Sequence, residues 1–255
     1  MEIMRFFVGL LNYAACLGCR YTIMRKSVND MSDGELQVYF DGLGALNSGP
    51  KPTRWQKLIG NVDFNRKDFL PAHREILFQV EKAIQKKNPN VTVPYWDCLP
   101  YRSHAAKDPS LSSSAFGYMT GCAGGRLEKF LTSEGKCIHR NEIHNFCPNY
   151  PLVESNSRRI QDPLVYAKTH LPILQYLVQT IYTTEDPSIA IQDPLMLSYM
   201  ANMDRYWDAW LTHNSFTTAL YGGQHKYPAG PSLLNGKTAR KIVQVSAASC
   251  VIYAA

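Results

Sequence analysis

The sequence predicts a mainly α, single-domain protein interrupted by one long loop-rich stretch, and three observations predict it. Apolar residues recur at helical spacing in four segments. Ser, Gly, Pro and Asn crowd the region from Pro94 to about Pro163. Apolar residues make up 45% of the 255 positions and charged residues 19%, enough hydrocarbon for one sizeable core and too much for wholesale disorder.

Each helix carries its own signal. Ser32-Asp33-Gly34-Glu35 is a capping box: the serine can bond the Glu35 amide while Glu35 reaches back. Leu36, Tyr39, Phe40 and Leu43 follow at helical spacing, and Gly49-Pro50 stops the pattern. A second helix starts near Pro71, which a first turn tolerates, and its stripe of His73, Ile76, Leu77, Val80 and Ile84 turns His73 inward. Helix returns from about Val165 to Tyr182, with His170, Ile173, Leu174, Leu177, Val178 and Ile181 on one face. Asp193-Pro194 opens the last helix, which carries Leu197, Met200, Ala201, Asp204 and Trp207, and Asp204 with Arg205 is expected to form a helix-anchoring ion pair. Beyond about Asn214 the chain is Gly- and Pro-rich, and Ile242 to Ala255 reads as either a short strand or a frayed tail. The expected organisation is a weak signal-like segment over 1–15, a domain over 16–213 and a C-terminal extension over 214–255.

Charge narrows the partners. Lys and Arg exceed Asp and Glu by 27 to 21, but the basic residues are scattered in pairs such as Arg25 with Lys26 and Arg158 with Arg159. They read as solvated faces, so no nucleic-acid partner is expected. The apolar stretch Phe6 to Leu11 is too short to span a bilayer and Asn12 interrupts it, so it resembles a poor secretory signal ending near Ala14-Ala15. Seven cysteines (Cys16, Cys19, Cys98, Cys122, Cys137, Cys147 and Cys250) suit an oxidising compartment, and their odd number leaves one over. Asn90-Val91-Thr92 is a glycosylation sequon. The expectation is a secreted protein whose partners, unidentified, are extracellular matrix or other secreted proteins.

Several chemistries find no support. There is no phosphate loop, no Gly-x-Ser-x-Gly elbow and no Gly-x-Gly-x-x-Gly after a strand. Cys16-Leu17-Gly18-Cys19 has redox spacing but follows the signal-like segment, so a disulfide is expected there. Cys137, His139, His144 and Cys147 offer a zinc-like mix of ligands in a spacing that fits no finger pattern, and disulfide bonding is the competing use of those two cysteines. His104, His213 and His225 sit in polar surroundings and read as surface residues.

Four segments in order carry a family resemblance. They are Phe69-Leu70-Pro71-Ala72-His73-Arg74 with Glu81 eight positions after the histidine; Pro94-Tyr95-Trp96-Asp97; Ser133-Glu134-Gly135 through Arg140-Asn141-Glu142-Ile143; and Asp193-Pro194 with Ala201-Asn202-Met203-Asp204-Arg205-Tyr206-Trp207. Together they resemble the tyrosinase and haemocyanin family of type-3 copper proteins, in the form of the animal secreted tyrosinases. The resemblance implies a four-helix-bundle core holding two copper ions, each bound by three histidines, which bind dioxygen and oxidise phenols and catechols. Imidazole suits copper in both redox states, and each ion needs a near-complete nitrogen set to cycle between them.

Carried over by position, His73 matches the third ligand of the first copper. The second falls nine positions earlier on Phe64, the first near Gly60 to Val62, and no histidine precedes residue 73. For the second copper, His170 matches the first ligand, Leu174 stands where the next belongs, and Tyr199 and Met200 occupy the place of the closing histidine pair. A different register puts Arg140 and His144 in the first two of these places but leaves an overlong gap before the last helix. Of six implied ligands two remain, in different sites. Phe64, Leu174 and Met200 are apolar, as if a polar pocket had been refilled as core. Met200 reads as a gap-filler, with soft ligation of Cu(I) as the other use of its thioether. His73 and His170 read as two buried neutral imidazoles or as a residual metal site.

Two functions are therefore expected to compete. One is a degenerate tyrosinase-like domain with no dinuclear copper centre and no cofactor, acting as a secreted structural, matrix or binding protein, with its 15 tyrosines open to crosslinking by other oxidases. The other is a copper-dependent phenol or catechol oxidase with a non-standard ligand set. Whether the chain is an enzyme turns on that choice.

Overall fold

The computed structural model describes residues 23–47, 69–86, 88–101, 107–112, 114–118, 120–132, 135–141, 160, 163–182, 190, 192–213 and 251–254. Four α-helices dominate these residues: α1 (Asp33–Asn47), α2 (Phe69–Gln85), α3 (Pro163–Ile181) and α4 (Pro194–His213). The fold is mainly α, as the sequence predicts.

The capping box forms as read. The Ser32 amide donates to Glu35 Oε2 at 2.8 Å, and the Glu35 amide donates to Ser32 Oγ at 3.3 Å. Leu36, Tyr39, Phe40 and Leu43 then turn into the core. Helix α2 lies deeper still, with Phe69 through Phe78 buried without a break. The two helices approach closely at Gly42, where an added Cβ would sit 2.6 Å from Ile84 Cγ2. A larger residue there would push α1 off α2.

Asp193 starts α4, its Oδ1 accepting the Leu195 amide at 2.9 Å as an N-cap does. Leu195 through Asp204 are all buried, so α4 is enclosed on every face over its first half. Helix α3 runs antiparallel beside it. Near one end the Tyr166 ring stacks on Trp210 with centroids 4.4 Å apart, and at the other the Tyr182 hydroxyl donates to Asp193 Oδ2 at 2.7 Å. Pro172 lies inside α3, where it has no amide to return to the Lys168 carbonyl.

Short strands fasten the chain around the helices. Strand β1 (Ile23–Arg25) pairs in parallel with β4 (Val251–Tyr253), so these three residues of the stretch that the sequence left open between strand and frayed tail are strand. Between α2 and α3 the sequence predicts loops. The structure adds a minimal hairpin, β2 (Gly121–Cys122) against β3 (His139–Arg140), fastened by the Cys122–Cys137 disulfide. Strands this short leave no periodicity to read. Gly117, with φ of 74°, lets the backbone pass so close to Ala123 that a Cβ would lie 1.9 Å from its carbonyl oxygen. No helix among the described residues is long and apolar enough to cross a membrane.

One expected ion pair is replaced by others. Asp204 does not pair with Arg205. It accepts from Arg74 Nε and, through Oδ2, from Arg25 Nη1 at 2.9 Å. Arg205, next on the helix but aimed outward, reaches Asp97 Oδ2 at 2.8 Å and lies over the rings of Tyr95 and Tyr206.

Candidate functional site

His73 sits on the inward face of α2, 1% exposed, with the Phe69 ring edge-on at 5.3 Å. Burial pushes its imidazole down to about 3, and the nearby Asp204 carboxylate offsets only part of that. The ring is neutral across the physiological range. His170, on α3, is equally buried. Its Nδ1 lies 2.7 Å from the Tyr166 carbonyl oxygen, and its ring packs against Tyr166 with centroids 4.0 Å apart. A carbonyl only accepts, so Nδ1 carries the proton and Nε2 the lone pair. A metal-bound histidine uses this arrangement, and a histidine fixed in a core uses it too.

The closing pair of ligand positions is core. Met200 is 0% exposed and Tyr199 1%. Tyr199 stands edge-on to Trp96 with centroids 6.2 Å apart, and burial raises its phenol above the ordinary tyrosine range. Met196 and Met203 on the same helix are buried as well. Leu174 lies in α3 one turn after His170; its side chain, like all of Phe64, is outside the described residues. Among the described residues no group of three or more His, Cys, Asp and Glu side chains gathers where it could hold a metal ion.

Of the two uses the sequence offered for Cys137, zinc ligand or disulfide partner, the structure shows the disulfide. Cys137 is bonded to Cys122 and has no thiolate to offer zinc, while His139 is exposed on β3. His144 and Cys147 lie outside the described residues, as do His104 and His225. Arg140, the alternative first ligand of the second site, is a structural peg. It grips Asp193 with Nε–Oδ2 at 2.7 Å and Nη2–Oδ1 at 2.8 Å, and donates to the Phe116 and Tyr118 carbonyls at 2.8 and 3.1 Å. A guanidinium has no lone pair for a metal.

Beside His73 the sequence conceals a buried ionic cluster. Arg25 binds Glu81 through two parallel hydrogen bonds and also reaches Asp204; Arg74 binds Asp204 and, at 3.0 Å, Asp208. The Tyr253 hydroxyl donates to Asp204 Oδ2 at 2.6 Å, and Arg74 lies over the Trp207 ring at 4.4 Å. Burial alone would raise the Asp204 carboxyl, but Arg74 and Arg25 hold it below the usual carboxylate range. Arg25 and Tyr253 escape sequence reading because their partners lie far along the chain. The one available signal is Glu81, a carboxylate beside the apolar stripe of α2 that must find a cation if buried. Asn90, the sequon asparagine, is exposed in the turn that follows α2.

Residues 52–157 match the family described as the common central domain of tyrosinase. The chain is 28% identical to Hemocyanin 1 of Megathura crenulata over 167 residues, 58% of this chain and 5% of that protein. It is 39% identical to the grixazone synthase of Streptomyces griseus over 61 residues, 24% of this chain and 18% of that one. It thus spans only a small part of the curated relatives it matches. Among solved structures, a polyphenol oxidase from Thermothelomyces thermophila superposes with a TM-score of 0.71 at 15% identity, covering 93% of this chain and 91% of that one. A functional unit of octopus hemocyanin superposes with a TM-score of 0.67 at 14% identity, over 91% and 68%.

Proposed function

We propose that the chain, which carries a tyrosinase-like domain and shares its fold with a polyphenol oxidase and a hemocyanin unit, keeps that fold as a scaffold and works without a dinuclear copper centre, as a secreted structural or binding protein. The observation that carries this is the burial of Met200 and Tyr199 in the core, at the positions where the family resemblance places a pair of copper ligands. A thioether and a phenol are a poor exchange for two imidazoles when copper must cycle between oxidation states. The absence of any histidine before residue 73 supports the same reading for the first metal. The donors at these positions do not suit a copper pair, and no catalytic step is assigned to them. The domain of 16–213 is the scaffold in this proposal. Secretion is supported by the Cys122–Cys137 disulfide and a second disulfide-bonded cysteine, Cys98.

The rival reading is a copper-dependent phenol or catechol oxidase with a non-standard ligand set. What favours it is His170, whose Nδ1–H is engaged by the Tyr166 carbonyl so that Nε2 has the lone pair a metal would need. An oxygen-uptake assay on copper-loaded protein with catechol separates the two. The scaffold reading predicts no uptake above that of free copper, and turnover abolished by changing His170 would establish the oxidase.

A further inference from the structure

Asn90-Val91-Thr92 is the single Asn-x-Ser/Thr triplet in the chain. The structure divides it into two unlike halves. Asn90 is exposed at the tip of a turn in which its amide donates to Asn88 Oδ1 at 3.1 Å and the Val91 amide donates to the Asn88 carbonyl at 3.3 Å. Its side chain makes no contact that the core depends on. Two residues on, the chain dives inward: Val91 is 6% exposed, Thr92 8% and Val93 0%. Thr92 Oγ1 donates to the Met24 carbonyl of β1 at 3.4 Å, and the Val93 amide donates to Glu81 Oε1 at 3.2 Å.

We propose that Asn90 is an N-glycosylation site, and that it is modified before β1 closes over Thr92. The triplet is an acceptor because the asparagine amide and the threonine hydroxyl are recognised together in an extended segment. In the fold the asparagine is offered and the hydroxyl withdrawn, so the finished structure presents half of the signal. Transfer therefore occurs on the nascent chain, and folding then leaves the carbohydrate on an exposed turn at the end of α2 with nothing to displace. The donor is a lipid pyrophosphate-linked oligosaccharide. A bond forms between Asn90 Nδ2 and the anomeric carbon of the first sugar as the anomeric carbon–oxygen bond breaks. The lipid pyrophosphate leaves with that electron pair, the amide proton passes to a base, and no oxidation occurs. The proposal rests on entry into the secretory pathway, which is part of the function proposed above.

The test expresses the full chain in secreting eukaryotic cells twice, once as it stands and once behind a strong cleavable signal peptide. Enzymatic deglycosylation in heavy-oxygen water, which leaves a labelled aspartate, then reports position 90 by mass spectrometry. The chain with the added signal should carry label at Asn90; Asn90→Gln should lose both label and the gel shift, and Thr92→Ser should retain the site. Absence of glycan from the chain with the added signal overturns the site. Glycan on that chain alone confirms the site and overturns entry directed by residues 1–15. Unglycosylated folded chain is then offered to purified oligosaccharyltransferase beside a peptide of residues 86–96. The peptide should be modified and the folded chain not; equal modification overturns the proposed order of events.

Discussion

Arg25 and Glu81 are joined by two parallel hydrogen bonds, Nε to Oε1 at 2.7 Å and Nη2 to Oε2 at 2.8 Å, with both side chains almost wholly buried. The pair ties the first strand to the helix that carries His73. A planar guanidinium facing a carboxylate suits this site as a lysine would not.

Removing one partner leaves the other charge stranded in the core. Arg25→Met and Glu81→Gln should each lower the unfolding free energy by about 3–5 kcal/mol in urea titrations. Arg25→Lys should recover only part of the loss, because an ammonium cannot span both oxygens while also reaching Asp204. A loss within about 0.5 kcal/mol, the size of an ordinary surface substitution, would contradict the cluster.

The pH dependence has a definite sign. His73 is neutral in the fold down to about 3, whereas in the unfolded chain it takes a proton near 6.5. Between those values the unfolded state binds the extra proton, so stability falls as the pH is lowered through that window, by up to about 1.4 kcal/mol per unit from this group. Asp204 acts lower. Held below its ordinary range by Arg74 and Arg25, it contributes stability above its unfolded value near 3.8 that is lost as pH falls through its folded value. Denaturant titrations of a folded His73→Gln variant from pH 7 to 4.5 should show a shallower slope than the parent. Equal slopes would place His73 in contact with water.

Helix starts were the most legible part of the sequence, because their signals are local: Ser32 with Glu35, and Asp193 with the Leu195 amide, lie within three residues. The apolar stripe of α2 was legible for the same reason. Partnerships across the chain were not. Nothing near Arg25 in the sequence points to Asp204, 179 residues away, and Asp204's neighbour Arg205 offered a nearer partner that helix geometry turns outward. Likewise nothing local joins Cys137 to Cys122, because the hairpin register that brings them together depends on strands only two residues long. In the candidate site the sequence left His73 and His170 open between buried imidazoles and a residual metal site and read Met200 as a gap-filler; all three are buried, which fits either use of the two histidines. It could not foresee the Tyr166 carbonyl on His170, which depends on the side-chain rotamer that the packing against Tyr166 selects.

Met200 on α4 is completely buried, so Met200→Ala should cost about 2–5 kcal/mol as a cavity opens. The double variant Leu174→His, Met200→His asks a different question. Leu174 is one helical turn from His170, so two imidazoles on α3 can aim at one ion. With a third from α4, the folded variant should bind copper or zinc more tightly than the parent in competition with a chromophoric chelator, and should still not oxidise catechol. Unchanged affinity in a folded variant would mean that position 200 does not face His170.

The most direct test of the central claim is metal stoichiometry. The purified chain, loaded with excess copper, desalted and measured by elemental mass spectrometry, should retain far less than two copper ions. It should also lack the near-ultraviolet absorption of a peroxide-bridged pair in air. Two tightly held copper ions per chain with that absorption would contradict the proposal that this fold works without its copper centre.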